Sequence, residues 1–363
     1  MRTKLLAAPA LAFGAALAAG IAAGPTAALA GAGVATGNTG GDTIAFSNSY
    51  AGNSFRQVMI KSFQGAAAQA EKESLIKGST VVSADNSVTQ QAAQIENLIL
   101  QGYKAIAVLA GSDTALNGAV KDACSAGIVV VVFASGVTEP CAYRVDYNLD
   151  AYGEAEMSYL ARRFDGRQVN LLEIRGIAGD GFDKRLHAGV EKALQARPNF
   201  KIVGQVYGQW TETVAQKEVA SILPSLPRID AVLTQGGDGY GAAMAFLNAK
   251  RSLPVIIMGN RQAELALWSN LHAKSGYETF SLGATPSVSQ IAFWEAQQIL
   301  AGKKVPKFVE VPLLTITQKD LAAWLATVPA GGVANAQYSQ ALVARIIDAN
   351  VDHTPLPVVS APK

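Results

Sequence analysis

The sequence predicts an α/β protein made of two similar doubly wound parallel-sheet lobes joined by a hinge. Three observations predict it. From Thr43 onward, short β-branched runs alternate with amphipathic helical stretches. Two of the runs, AIAVLA (105–110) and IVVVVFA (128–134), are almost continuously apolar, as strands buried on both faces of a parallel sheet are. The alternation then restarts: Thr43 to Val169, Ala105 to Ala231 and Val129 to Val255 are each 126 residues apart. Two unrelated domains would match in this way only by accident.

The elements follow in order. Arg2 and Lys4 precede a small and apolar run from Leu5 to Ala23, then Gly24-Pro25 and the pattern Ala28-Leu29-Ala30. A charged start, an apolar middle and an A-x-A end make a secretory signal peptide, with cleavage expected after Ala30. The rival reading is an uncleaved anchor of nearly spanning length; the run's alanine and glycine content argues against it. No cysteine stands at the junction to carry a lipid. The mature chain is therefore expected in the periplasm.

Residues 31–41 are small and aperiodic and read as a flexible linker. TIAFS (43–47) is the first strand, and Asn53 or Ser54 can cap the helix after it. Phe55, Val58, Met59, Phe63 and Ala67 supply that helix with an apolar stripe. STVVS (79–83) is the second strand. Val88, Ala92, Ile95, Leu98 and Ile99 mark the next helix, with Gly102 as its stop. After the two apolar strands, VNLLEI (169–174), KIVGQVY (201–207), AVLTQ (231–235) and PVIIMG (254–259) repeat the pattern. A helix near 287–301, a strand at 308–314 and helices near 318–326 and 336–349 complete it. The first lobe is expected to span 42–144 plus about 283–306. The second is expected to span 145–282 plus about 307–350, with 351–363 as a loose tail.

Composition excludes some functions. Removing residues 1–30 takes away two basic residues and no acidic one, leaving 28 of each and no net charge. A nucleic-acid binder needs a cationic surface, so nucleic acid is not an expected partner. The 333 residues that remain exceed one simple core and suit two domains. The two cysteines, Cys124 at a helix end and Cys141 in the loop after the next strand, are expected to pair in an oxidising compartment. The alternative is two buried thiols.

Chemical motifs are sparse. Gly236-Gly237-Asp238-Gly239-Tyr240-Gly241 follows a strand and opens a helix, but the acid that a dinucleotide site needs is replaced by Gly259-Asn260-Arg261. The loop reads as a tight turn. His187, His272 and His353 are scattered without metal-ligand spacing, and there is no G-x-S-x-G elbow. Neither catalysis, a metal nor a cofactor is expected.

Polar chemistry concentrates instead at strand ends, where open α/β sheets bind ligands. These positions hold Asn48, Asn53, Phe55, Asp113, Ser135, Arg175, Trp210, Gln235, Asp238 and Asn260, the last followed by Arg261. Amides both donate and accept, and Arg and Asp add charge-assisted bonds, which suits a ligand dense in hydroxyls. Phe55 and Trp210 are expected to grip the ligand from opposite lobes, although Phe55 also fits the apolar stripe of its own helix.

The stretches TIAFSNSYAGNSFRQ, VVSADNSVTQQAAQIENLILQGYKAIAVLA, LLEIRGIAGDGFDKRLHAGVEKAL, GQWTETVAQ and IDAVLTQGGDGYGAAMAFLNA together resemble the periplasmic sugar-binding proteins of the ribose/galactose type. These are the type I solute-binding proteins of ABC importers. The resemblance runs from about Thr43 to Pro312. It implies the type I periplasmic binding fold, hinge closure on a sugar, polyol or sugar acid, delivery to ABC permease subunits, a monomer, and no enzymatic activity. The chain also departs from the family. Ala134 and Ser135 stand where an Asp and an Arg are common. The second-lobe helix has Leu186 at the family's Arg position, with Arg185 one place off. Gln235-Gly236-Gly237-Asp238 replaces an Asn or Asp loop, and Asn260 replaces an Asp. A rival class is an exported carbohydrate-active enzyme, which needs two facing carboxylates. A receptor for a chemotaxis or sensor-kinase system is compatible with binding. A DNA-binding regulator would need a headpiece where the leader and linker stand.

Overall fold

The computed structural model describes residues 33–359 and 361; the signal-peptide reading lies outside them. In chain order the first lobe contains β1 (Thr43–Asn48), α1 (Ser54–Lys72), β2 (Gly78–Ser83), α2 (Val88–Leu100), β3 (Ala105–Leu109), α3 (Asn117–Ser125), β4 (Val129–Phe133) and β5 (Tyr143–Tyr147). The chain then crosses to α4 (Leu149–Phe164), β6 (Val169–Arg175), α5 (Gly181–Gln195), β7 (Phe200–Tyr207), α6 (Glu212–Ile222), β8 (Ala231–Thr234), α7 (Gly239–Asn248), β9 (Val255–Ile256), α8 (Gln262–Ser275) and β10 (Ser281–Gly283). It ends with α9 (Val288–Leu300), β11 (Phe308–Val311), β12 (Leu314–Ile316), α10 (Leu321–Thr327) and α11 (Gln340–Asp352).

The first sheet runs β2-β1-β3-β4-β5-β11, all parallel. The second runs β7-β6-β8-β9, also parallel. A bridge from Met258 to Ser281 carries it on to β10, which pairs antiparallel with β12. The strands named in the 126-residue repeat begin at Thr43 and Val169, Ala105 and Ala231, and Val129 and Val255. Equivalent strands hold equivalent places, so the type I periplasmic binding fold expected from the sequence is present.

Each sheet is buried on both faces by the apolar stripes of its helices. Phe63 on α1 stacks on Phe46 of β1 and meets Phe293 of α9 edge-on at 5.3 Å, which fixes α9 to the first lobe. In the second lobe Trp268 of α8 and Trp324 of α10 are fully enclosed. Cys124 and Cys141 form a disulfide, Cα to Cα 6.3 Å, tying the end of α3 to the loop before β5.

Five points of the sequence reading need correction. β5 was not read from the sequence, because YRVDY is short and polar at alternate positions. The strand expected at 308–314 is two strands, broken at Pro312, which has no N–H for a ladder. β11 pairs with β5 in the first sheet, and α11 packs on α9 and β11, so neither belongs with the second lobe as expected for 307–350. Residues 33–41 do not hang free. Ala35 N donates to Gln298 Oε1 at 2.7 Å, Thr39 Oγ1 to Leu75 O at 2.6 Å, and Lys303 Nζ to Gly33 O at 2.9 Å. Within the tail, Leu356 and Val359 pack on the core.

Candidate functional site

Segments passing between the lobes lie side by side. One follows Tyr147, and another leaves β10 through Ala284 and Thr285. Tyr147 Oη donates to Thr285 O at 3.3 Å and accepts from Thr285 N at 3.1 Å, pinning these crossings to one another. Asn260 Nδ2 donates to Ala284 O at 3.0 Å and Ala334 O at 3.2 Å, binding a further crossing to the same point.

Beside this hinge, at the carboxyl ends of both sheets, is a cavity of about 100 Å³. The first lobe contributes Asn53, Phe55, Arg56, Met59, Ala134 and Ser135. The second contributes Phe182, Trp210, Gln235, Gly236, Gly237, Asn260 and Arg261, and the hinge adds Tyr147, Ala284 and Val288. Of the residues expected at the site, Asn53, Phe55, Ser135, Trp210, Gln235 and Asn260 line it.

Local chain chemistry places them. Asn53 caps α1, its Oδ1 accepting from Arg56 N at 2.9 Å, which turns Phe55 and Arg56 into the cavity on the first helical turn. Ala134 has φ of 56°, a left-handed turn that carries Ser135 out of β4 toward the cleft. Gln209 and Trp210 are both left-handed, with φ of 55° and 50°. Non-glycine residues in this region cost roughly 1–3 kcal/mol each, a strain found where the chain aims a side chain at a ligand. The Trp210 ring lies over Gly176. A Cβ there would come within 2.2 Å of Cζ2, so the site needs glycine. Phe182 meets Trp210 edge-on at 6.3 Å. Arg261 Nη2 donates to Trp210 O at 2.7 Å.

Five expected residues lie outside the cavity. Asn48 is fully buried, its Nδ2 donating to Tyr50 O at 2.8 Å and Ser83 Oγ at 3.2 Å to hold the loop after β1. Arg175 is buried in a bidentate pair with Asp183, 2.9 and 2.6 Å, which also receives Gly176 N and Gln235 Nε2. Arg185 reaches across to the first lobe, bonding Asp146 Oδ2 at 2.6 Å and Ala134 O at 2.9 Å. Asp113 is exposed, its carboxylate resting against Gly181 at the start of α5 in the other lobe. Asp238 is wholly enclosed, its carboxylate against Gly208. Burial, then the neighbouring Glu264, raises its carboxyl well above the usual range. Asn48, Arg175 and Arg185 are thus committed to partners within the protein.

The sequence reading missed Arg56, Met59, Tyr147 and Phe182. Arg56 had a signal: a cation in the first turn of a helix opposes the helix dipole and calls for a reason. Phe182 and Tyr147 had none, since their neighbours are set by the second lobe and the hinge. No aspartate or glutamate lines the cavity. Among the described residues no group of three or more metal-ligating side chains exists.

The model of the periplasmic binding protein domain matches residues 44–304. An ABC transporter solute-binding protein from Thermobispora bispora superposes with a TM-score of 0.80 at 31% identity, over 88% of this chain and 99% of that one. The xylitol-binding protein of Mycolicibacterium smegmatis is 31% identical over 48% of this chain, a match that spans about half of that protein (51%). The ribose import binding protein of Bacillus subtilis is 25% identical over 69% of this chain and 81% of its own length. With a family model over most of its length and a solved relative covered almost entirely, the chain belongs to the periplasmic binding proteins of the type I fold.

Proposed function

We propose that this chain is an exported solute-binding protein of an ABC importer. It captures one small polyhydroxylated molecule, a sugar, polyol or sugar acid, by hinge closure and presents it to permease subunits. The observation that carries this reading is the cavity: both lobes and the hinge line it, so a ligand there touches both lobes at once only when they are closed. Differential contact of that kind shifts the population toward the closed form. Phe55 and Trp210 supply apolar faces for the C–H side of a sugar ring, and Asn53 and Ser135 supply hydrogen-bonding groups. Relatives named for ribose and xylitol support the substrate class.

The reading includes cleavage after Ala30 and a periplasmic, monomeric protein. It includes binding without reaction. A glycosidase needs two carboxyl groups flanking the ligand, and the cavity lining contains none. Signalling through a sensor kinase would use the same closure.

The test is a thermal-shift screen of aldoses, alditols and sugar acids on exported protein, followed by chromatographic recovery of the hits. A binder raises the melting temperature by mass action and is recovered unchanged. Chemical conversion of the hit, or a screen without any stabilising compound, would defeat the reading. Intact mass of the exported protein should correspond to a start near Gly31.

A further inference from the structure

We propose that the ligand this site selects is an anion, a polyhydroxylated carboxylate of the sugar-acid class, and that Arg56 and Arg261 hold its charged end from opposite lobes. The inference rests on the solute-binding reading above and narrows its substrate class.

Consider which polar groups of the cavity are uncommitted. The Gln235 amide is spent on Gly176 N and Asp183. Asn260 Nδ2 is spent on the hinge carbonyls, and Tyr147 Oη on Thr285. Asn53 Oδ1 is spent on Arg56 N. What remains is Asn260 Oδ1, Asn53 Nδ2, Ser135 Oγ, the Trp210 ring N–H, and the free N–H groups of Arg56 and Arg261. Among these side-chain groups donors predominate: besides the hydroxyl, only the Asn260 amide oxygen accepts. A neutral sugar offers as many hydroxyl donors as acceptors and is best met by mixed partners. A carboxylate offers acceptors alone.

Charge points the same way. Among the described residues no carboxylate oxygen lies within 4.0 Å of a guanidinium nitrogen of Arg56 or Arg261. Arg56 makes one long contact, to Met59 Sδ at 3.9 Å. Asp180 attracts it from beyond pairing distance while capping α5 through Phe182 N and Asp183 N. Behind Arg261 are Asp238 and Glu264, both wholly buried. Glu264 accepts backbone N–H groups of Gly239, Gly259 and Arg261, so it faces the wall and not the cavity. Arg56 also stands in the first turn of α1, with no acidic residue there to offset it. Its charge and the helix dipole add at one point of the cavity, which an anion would relieve. Burial lowers the Arg56 guanidinium only to about 10, so it is charged at neutral pH.

The experiment is calorimetry on the mature protein with matched pairs of compounds: D-gluconate against D-glucitol, D-xylonate against xylitol, and D-galacturonate against D-galactose. Phosphorylated sugars form a third arm. The expected result is at least one acid bound ten or more times tighter than its neutral partner, with affinity falling as salt rises. Arg56→Gln should shrink that acid-to-neutral ratio at least fivefold, a ratio in which any general loss of folding divides out. Arg261→Gln should act in the same direction. Neutral members binding as tightly as the acids, or phosphorylated sugars alone binding, would overturn the inference while leaving a solute receptor in place. If no compound of any arm binds, the receptor reading fails together with it.

Discussion

Arg185 of the second lobe donates to Asp146 of the first, Nη1 to Oδ2 at 2.6 Å, one residue before Tyr147 and the crossing to α4. Asp146 is enclosed and also receives Nε and Nη2 of Arg144, while Arg185 is about 38% exposed. Arg185 additionally bonds Ala134 O, next to the cavity. The pair therefore ties α5 of the second lobe to the end of β5 in the first, as a latch between the lobes.

Removing the latch should favour opening. A charge-assisted bond at a part-exposed site is worth about 1 kcal/mol, which corresponds to roughly fivefold in affinity. Arg185→Gln should weaken ligand binding by about that factor with little change in melting temperature. It should also enlarge the radius of gyration of the unliganded protein by small-angle scattering. Wild-type affinity together with a wild-type radius would remove the latch from the mechanism.

Trp210 lines the cavity from the second lobe. Trp210→Ala should weaken binding at least tenfold while the far-ultraviolet circular dichroism stays as in the parent, since a ring face on a sugar contributes on the order of 1 kcal/mol beyond its burial. Gly176→Ala should have a similar effect, because its Cβ occupies the place of the Trp210 ring. Calorimetric titration of both variants checks this, and parental affinity in Trp210→Ala would move the contact elsewhere.

The Cys124–Cys141 disulfide lies on the far side of α3 from the cleft, packed with the smaller first-lobe cluster. Replacing both cysteines by serine should lower stability by about 3 kcal/mol on the chain-entropy account. Affinity should not change. Denaturant titration and calorimetry on the double variant separate the two effects.

Glu295 on α9 is fully buried and neither carboxylate oxygen has a partner. Burial raises its carboxyl from 4.5 to about 8. The folded state therefore holds a proton that the unfolded chain releases near 4.5. The stability tied to that proton is complete below pH 4.5 and is lost as pH climbs to about 8. Glu295→Gln removes the titration. The melting temperature of the variant relative to the parent should rise from pH 5 to about pH 8 and then level off. A constant difference across that range would contradict the assignment.

The 126-residue recurrence, the parallel strands at 105–110 and 128–134 and the cap at Asn53 were legible because each rests on local chemistry: burial on both faces, β-branching and a side chain beside its own helix. Six of the expected ligand residues reached the cavity for a similar reason, since strand ends in this fold point one way. Arg175, Asp238 and Asn48 lie outside the cavity, and a polar residue at a strand end looks the same in sequence whether its partner is a ligand or a buried neighbour. Asp183 answers for Arg175, and its nearness depends on how α5 seats against β6.

The sequence by itself determined two α/β lobes of like topology and the strand ends at which such sheets bind ligands. Tertiary structure alone decided that Pro312 splits one apolar run between two sheets. It also decided that Arg56 and Arg261 line one cavity whose lining holds no carboxylate. Periodicity and capping act within a few residues of chain. Which charges remain unpaired depends on groups far apart in sequence, and packing alone brings those together.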